Sequence, residues 1–131
     1  MDNNTALELK NISKQYPGVL ALDNMSIAFR KGEIHALLGE NGAGKSTLIK
    51  VCTGAIRPSS GTIETGGRQF SYMTPQLSEQ NGVAVVYQEL NLVDELSVAE
   101  NIYLGQKMGG KHLFNKAVIE KKAKDLLERL G

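Results

Sequence analysis

The stretch that most constrains this chain is Gly39-Glu40-Asn41-Gly42-Ala43-Gly44-Lys45-Ser46-Thr47. It fits G-x-x-x-x-G-K-[S/T], the phosphate-binding pattern called Walker A, and each residue type has a physical reason to be there. Gly42 and Gly44 let the backbone take positive φ and approach a ligand without a Cβ clash. Successive N–H groups then point inward and form a cradle for an anion. Lys45 adds a compact charge for β- and γ-phosphates. Ser46 offers a hydroxyl, a hard oxygen of the kind Mg²⁺ accepts. Gly39, Glu40, Asn41, Ala43 and Thr47 complete the candidate nucleotide-binding loop.

The flanks set the fold expectation. Glu33-Ile34-His35-Ala36-Leu37-Leu38 is a short apolar run that reads as a buried parallel strand. Thr47 to Cys52 reads as the first turns of a helix whose N-terminus faces the phosphates, where orphan N–H groups and the dipole favour an anion. Val83-Ala84-Val85-Val86-Tyr87 reads as a second buried strand. Short strands close in sequence before the loop suggest an antiparallel layer beside this core. The expected class is α/β: a P-loop NTPase core of parallel strands with helices, plus an antiparallel β layer, truncated.

In the antiparallel layer, Ala6 to Ile12 alternates apolar and polar residues as a half-buried strand does. Pro17-Gly18 marks a turn. Val19–Leu22 and Met25–Phe29 read as two strand pieces joined near Asp23-Asn24, and Lys31-Gly32 as a tight connection. Thr62–Thr65, Gly66-Gly67 and Arg68–Phe70 read as a hairpin. Thr74 and Pro75 suit the N-cap and first position of a short helix, with Asn81-Gly82 as its stop. Ser97 and Glu100 have capping-box spacing, predicting a helix from Val98 to Leu104. Asn115 is expected to cap a last helix, Lys116 to Leu130. There Ile119, Ala123, Leu126, Leu127 and Leu130 share a face, and Glu120–Lys124 and Asp125–Arg129 are spaced as ion pairs. That face either packs on the Val98 helix or lacks its neighbour.

Composition matters mainly through what it fails to support. With 131 residues, 41% apolar and 22% charged, the chain suits one domain with a real core. A net charge of +1 gives no electrostatic case for nucleic acid. The one cysteine, Cys52, cannot form an internal disulfide; its place on the apolar side of the loop helix points to packing. His35 reads as a structural residue inside a strand, and His112 lies in a flexible basic stretch, Lys107 to Lys111 and beyond. Neither has partners at zinc-ligand spacing. No stretch approaches the ~18 apolar residues of a membrane span.

Two residues outside the loop are candidates with open readings. Tyr16 is either an aromatic platform for an adenine face or a loop tyrosine packed beside Pro17. Gln88, at the carboxyl end of the Val83 strand, either ligates Mg²⁺ and holds a water or is an ordinary strand-end polar residue.

Taken together, these segments resemble the ATP-binding subunits of ATP-binding cassette (ABC) transporters. The resemblance rests on Ile12-Ser13-Lys14-Gln15-Tyr16-Pro17-Gly18, the Walker A loop, Pro58-Ser59-Ser60-Gly61-Thr62-Ile63, Val86-Tyr87-Gln88-Glu89-Leu90-Asn91-Leu92 and Leu96-Ser97-Val98-Ala99-Glu100-Asn101-Ile102. The phrases around Gln88 and Glu100 are most similar to the branch that imports ribose, galactose and similar monosaccharides. The resemblance implies that Tyr16 is the adenine-stacking aromatic. It implies that Gln88, with Ser46, contacts Mg²⁺ of bound ATP, and that Leu90 to Leu96 faces a membrane permease. It implies partnership with a second nucleotide-binding domain and, indirectly, a periplasmic or extracellular sugar-binding protein. The location it implies is peripheral, on the cytoplasmic face of the membrane.

After Gln88 the chain has no Leu-Ser-Gly-Gly-Gln signature, no second apolar strand ending in Asp-Glu and no switch histidine. Residues 1–131 are therefore expected to be the N-terminal part of one nucleotide-binding domain, with 115–131 starting its helical subdomain. The parent is expected to be a transport-coupled ATP hydrolase, and this piece inactive alone. A non-transporter ABC-type ATPase and a stand-alone nucleotide-binding module are the competing readings.

Overall fold

The alternating residues from Thr5 onward do form a strand. In the computed structural model of the protein, which describes residues 4–86, 92–105 and 115–131, this strand (β1) runs from Thr5 to Tyr16. Leu7, Leu9 and Ile12 are buried, although strict alternation would turn position 11 inward rather than 12. Asn11 takes φ 53°, and the register shifts between Leu9 and Ile12. The bulge inserts one residue and so returns Ile12 to the core face.

The Pro17-Gly18 turn reverses the chain into β2, Val19–Arg30, antiparallel to β1 from Tyr16↔Val19 to Thr5↔Arg30. The two expected strand pieces are thus one strand, irregular at Asn24, where φ is 45°. Side chains take over where the ladder slips. Ser13 Oγ accepts the Asn24 N–H at 2.9 Å, and Ser26 Oγ accepts the Asn11 N–H at 2.9 Å. The expected hairpin is present as β3, Ser60–Thr65, and β4, Arg68–Phe70. It adds to the other side of β1, giving the order β2-β1-β3-β4, all antiparallel.

Helix α1, Lys45–Cys52, lays Leu48, Val51 and Cys52 into a core with Leu7, Leu9, Ile12, Leu22, Ile63 and Met73. Helix α2, Pro75–Gln80, begins as its sequence demands: Thr74 Oγ1 accepts the Leu77 N–H at 3.2 Å, with Pro75 leading. The buried Ser78 hydroxyl donates to the Cys52 carbonyl at 2.8 Å, satisfying one end-carbonyl of α1.

Two strand expectations are corrected. Residues 33–38 belong to no strand, with Ile34 fully exposed and Leu38 nearly so. Residues 83–86 likewise form no strand, and Val86 is 91% exposed; Tyr87 lies outside the described residues. A parallel strand needs a neighbour for its N–H and C=O groups. Among the described residues, the four strands pair only with one another, and neither run finds an edge.

A second compact unit follows Val86. Its helices are α3, Val98–Ile102, shorter than expected, and α4, Lys116–Leu130. Ala99, Ile119 and Ala123 are buried together, with Ile102 and Tyr103 against them. The first half of the α4 stripe therefore packs on α3, while Leu127 and Leu130 stay exposed. The capping box at Ser97 and Glu100 is complete. Asn115 stands at the N-cap of α4 but makes no side-chain capping bond. In place of the two expected α4 ion pairs, Lys124 meets Glu128 at 3.9 Å. Residues 107–111 and His112 lie outside the described residues. No described helix is long and apolar enough to cross a membrane.

Candidate functional site

The glycine loop ends where α1 begins, and its conformation follows from its glycines. Gly44 is the N-cap residue at φ 82°, left-handed, and Gly42 sits at φ 89°. The Ala43 N–H donates to the Glu40 carbonyl at 3.1 Å and closes a turn. Leu48 is the first α1 residue whose N–H finds a carbonyl, that of Gly44 at 2.8 Å. The N–H groups of Lys45, Ser46 and Thr47 thus open the helix without an intrahelical acceptor, at the positive end of its dipole.

Lys45 Nζ donates to the carbonyls of Gly39 at 2.5 Å and Glu40 at 2.6 Å. The ammonium is therefore held over the loop from inside it. Ser46 lies exposed on the first turn of α1. This set of donors (helix-end N–H groups, one ammonium, one hydroxyl) suits a polyphosphate. It also fits Mg²⁺ held largely by phosphate oxygens and water, since that ion keeps several waters and takes few protein ligands. The other Mg²⁺ candidate, Gln88, lies outside the described residues. No three His, Cys, Asp or Glu side chains gather as a metal cluster among the described residues.

Tyr16 sits at the turn end of the β1–β2 hairpin and is 37% exposed. The same hairpin supports the loop. An added Cβ on Gly44 would meet the Ala21 carbonyl and the Leu22 side chain of β2. Sequence reasoning flagged Tyr16 but passed over Lys14, whose ammonium lies 5.1 Å from the Tyr16 ring centroid. The available signal was the strand period, since residues 14 and 16 share a face.

The remaining titratable candidates are structural. Burial pushes the Cys52 thiol up to about 11, so it packs as a protonated side chain. His35 lies outside any strand, but its Nε2 accepts the Arg30 N–H at 3.3 Å and its ring meets Phe29 edge-on at 5.4 Å.

Comparison with known proteins gives a consistent answer. The sequence model of the family described as ABC transporter matches residues 22–131. The chain is 48% identical to the putative ribose/galactose/methyl galactoside import ATP-binding protein 1 of Agrobacterium fabrum, covering 99% of this chain and 26% of that protein. It is 48% identical to the arabinose import ATP-binding protein of Vibrio parahaemolyticus, over 95% of this chain and 25% of that one. The chain thus spans about a quarter of the length of these curated relatives. It also resembles the crystal structure of a nucleotide-free ATP-binding cassette from an ABC transporter. That match has a TM-score of 0.75 at 29% identity, over 95% of this chain and 52% of the cassette. The α/β P-loop class expected from the sequence is the class of that cassette, and the antiparallel sheet with helices is the part of it described above.

Proposed function

The chain belongs to the ABC transporter family, and from that premise we propose that it is the phosphate-gripping part of an ATPase that powers import of a monosaccharide. The observation that carries this reading is the loop at the head of α1. Gly44 is left-handed, three helix-end N–H groups lack intrahelical acceptors, and the Lys45 ammonium is held by the carbonyls of Gly39 and Glu40 in the same loop. The sugar-import names of the 48%-identical relatives support the transport branch.

In this reading Gly39 through Thr47 wrap the phosphates of ATP, and Lys45 neutralises them. Ser46 and Gln88 hold Mg²⁺, which supplies charge neutralisation when bound, and Tyr16 stacks on adenine. Such transfer chemistry depends on positioning and charge stabilisation. The acidic strand end that the resemblance attaches to catalysis is not among the 131 residues. Binding rather than turnover is therefore the property expected of this chain alone. Turnover near an ordinary enzyme median of ~10 s⁻¹ would contradict that. The whole protein would pair with a second nucleotide-binding domain and meet a permease through the segment after Gln88. A sugar-binding protein would deliver the substrate, with the ATPase peripheral on the cytoplasmic face of the membrane. Residues 115–131 would begin its helical subdomain.

Calorimetric titration of the chain with MgATP tests the reading. Saturable binding is expected, weakened about tenfold or more by Lys45→Ala, the size of one lost charge-assisted contact. Binding unaffected by that substitution, or no binding at all, would remove the loop from the proposal.

A further inference from the structure

Tyr16 is exposed at the end of a hairpin, where a tyrosine ring ordinarily samples several rotamers. Here its surroundings restrict it. The Lys14 ammonium lies over the ring at 5.1 Å from the centroid and also donates to the Arg57 carbonyl at 2.8 Å. Arg57 is itself placed, its guanidinium 4.5 Å from the Tyr72 ring centroid. The backbone beside Tyr16 is stitched to the same loop. The Gln15 N–H donates to Ser59 Oγ at 3.0 Å, and the Ser59 N–H donates to the Ser13 carbonyl at 2.8 Å. A cation fixed by a backbone carbonyl thus covers one face of the ring. A flat base can stack only on the other face.

We propose that Lys14 is a positioning residue for the nucleotide base: by occupying one face of Tyr16 it orients the ring, so that the opposite face receives adenine. This rests on the reading of Tyr16 as the base platform. The ordering of the ring is incurred on folding rather than on binding, which is how preorganisation raises affinity. The Lys14 ammonium lies over the Tyr16 ring and gives one of its three donors to the Arg57 carbonyl, so its effect is expected on the base rather than on the phosphates.

Titrations with MgATP and with magnesium tripolyphosphate, which has the phosphates and no base, separate the two. Lys14→Met keeps the alkyl stem and removes the cation. It is expected to weaken ATP about two- to fivefold, the range of an exposed cation–π contact, and to leave tripolyphosphate unchanged. Lys14→Arg, which keeps a cation over the ring, is expected to retain wild-type affinity for ATP. In a Tyr16→Ala background, Lys14→Met is expected to add nothing. Equal weakening of both ligands, no weakening of ATP, or a Lys14→Met effect that persists without the ring each overturns the proposal. Failure of the underlying reading looks different. There the wild type would bind ATP no more tightly than tripolyphosphate, and Tyr16→Ala would change neither affinity.

Discussion

The Cβ that Gly44 lacks would stand 2.5 Å from the carbonyl oxygen of Ala21 and 2.9 Å from the Leu22 side chain. The glycine that starts α1 is therefore also the point where the glycine loop presses on β2. Gly42 has a similar φ of 89° but open space around it. The two positions separate backbone strain from packing. Gly42→Ala is expected to cost about 1–2 kcal/mol, the left-handed penalty alone. Gly44→Ala is expected to cost more, toward 3 kcal/mol, because backbone must also move. Urea midpoints check the order: wild type, then Gly42→Ala, then Gly44→Ala. Indistinguishable midpoints for the two variants would mean that the Ala21 contact is not tight.

That pair also shows what the sequence could reveal. Gly44 was legible as part of a motif, but Ala21 was not, because nothing local links residues so far apart. Two caps whose partners lie three residues away were read correctly, Thr74 with Leu77 and Ser97 with Glu100, whereas the equally local Asn115 cap and the two expected α4 ion pairs did not form. The runs at 33–38 and 83–86 were misread for the opposite reason. Apolar composition says what a segment would do beside a neighbour, and burial depends on that neighbour being there. Tyr16 stood out by its aromatic type and by the resemblance of the segment around it. The Lys14 neighbour was available from the strand period, but the Arg57 carbonyl that holds Lys14 lies 43 residues away in sequence and was not.

Asn101 holds the turn that precedes α3. Its Nδ2 donates to the carbonyls of Val93 at 3.0 Å, Leu96 at 3.0 Å and Ser97 at 3.2 Å, and its Oδ1 accepts the Val93 N–H at 2.9 Å. One carboxamide thus fixes both ends of a five-residue turn. Asn101→Ala is expected to speed hydrogen exchange at the Val93 amide about tenfold, the worth of roughly one hydrogen bond, and to leave Ile63 in the sheet unchanged. Unaltered exchange at Val93 would show that the turn holds its shape without the clamp.

Glu100 gives the same region a dependence on pH. The Ser97 hydroxyl, donating to its carboxylate at 2.6 Å, and then the Ser97 backbone N–H at 2.8 Å, hold it below the ordinary carboxylate range. A depressed native pKa means the unfolded state binds the proton more readily. The capping contribution is therefore fully present above the ordinary value of 4.5 and is lost as pH falls through the lower native value. The Ser97 amide shift, followed by NMR, is expected to titrate below pH 4.5. Glu100→Gln keeps an acceptor that does not ionise, and should flatten that transition. A transition unchanged in the variant would assign it to another group.

The segments 33–38 and 83–86 carry the most consequential exposure in the sheet unit. Ile34, Leu38 and Val86 are each more than four-fifths exposed, and neither segment pairs with a strand among the described residues. Exposed apolar backbone outside any ladder is a template for another copy of itself, because it offers backbone groups no strand has taken and side chains that gain from burial. The isolated chain is therefore expected to self-associate as concentration rises. A charge at these positions disfavours such pairing, and at full exposure it displaces nothing in the fold. Sedimentation velocity over a concentration series is expected to show dimers and larger species for the wild type. The double variant Ile34→Lys, Val86→Lys should stay monomeric to markedly higher concentration, with circular dichroism unchanged. Identical sedimentation of the two proteins would place the association elsewhere on the molecule, and a wild type monomeric throughout would mean that these segments are covered in solution.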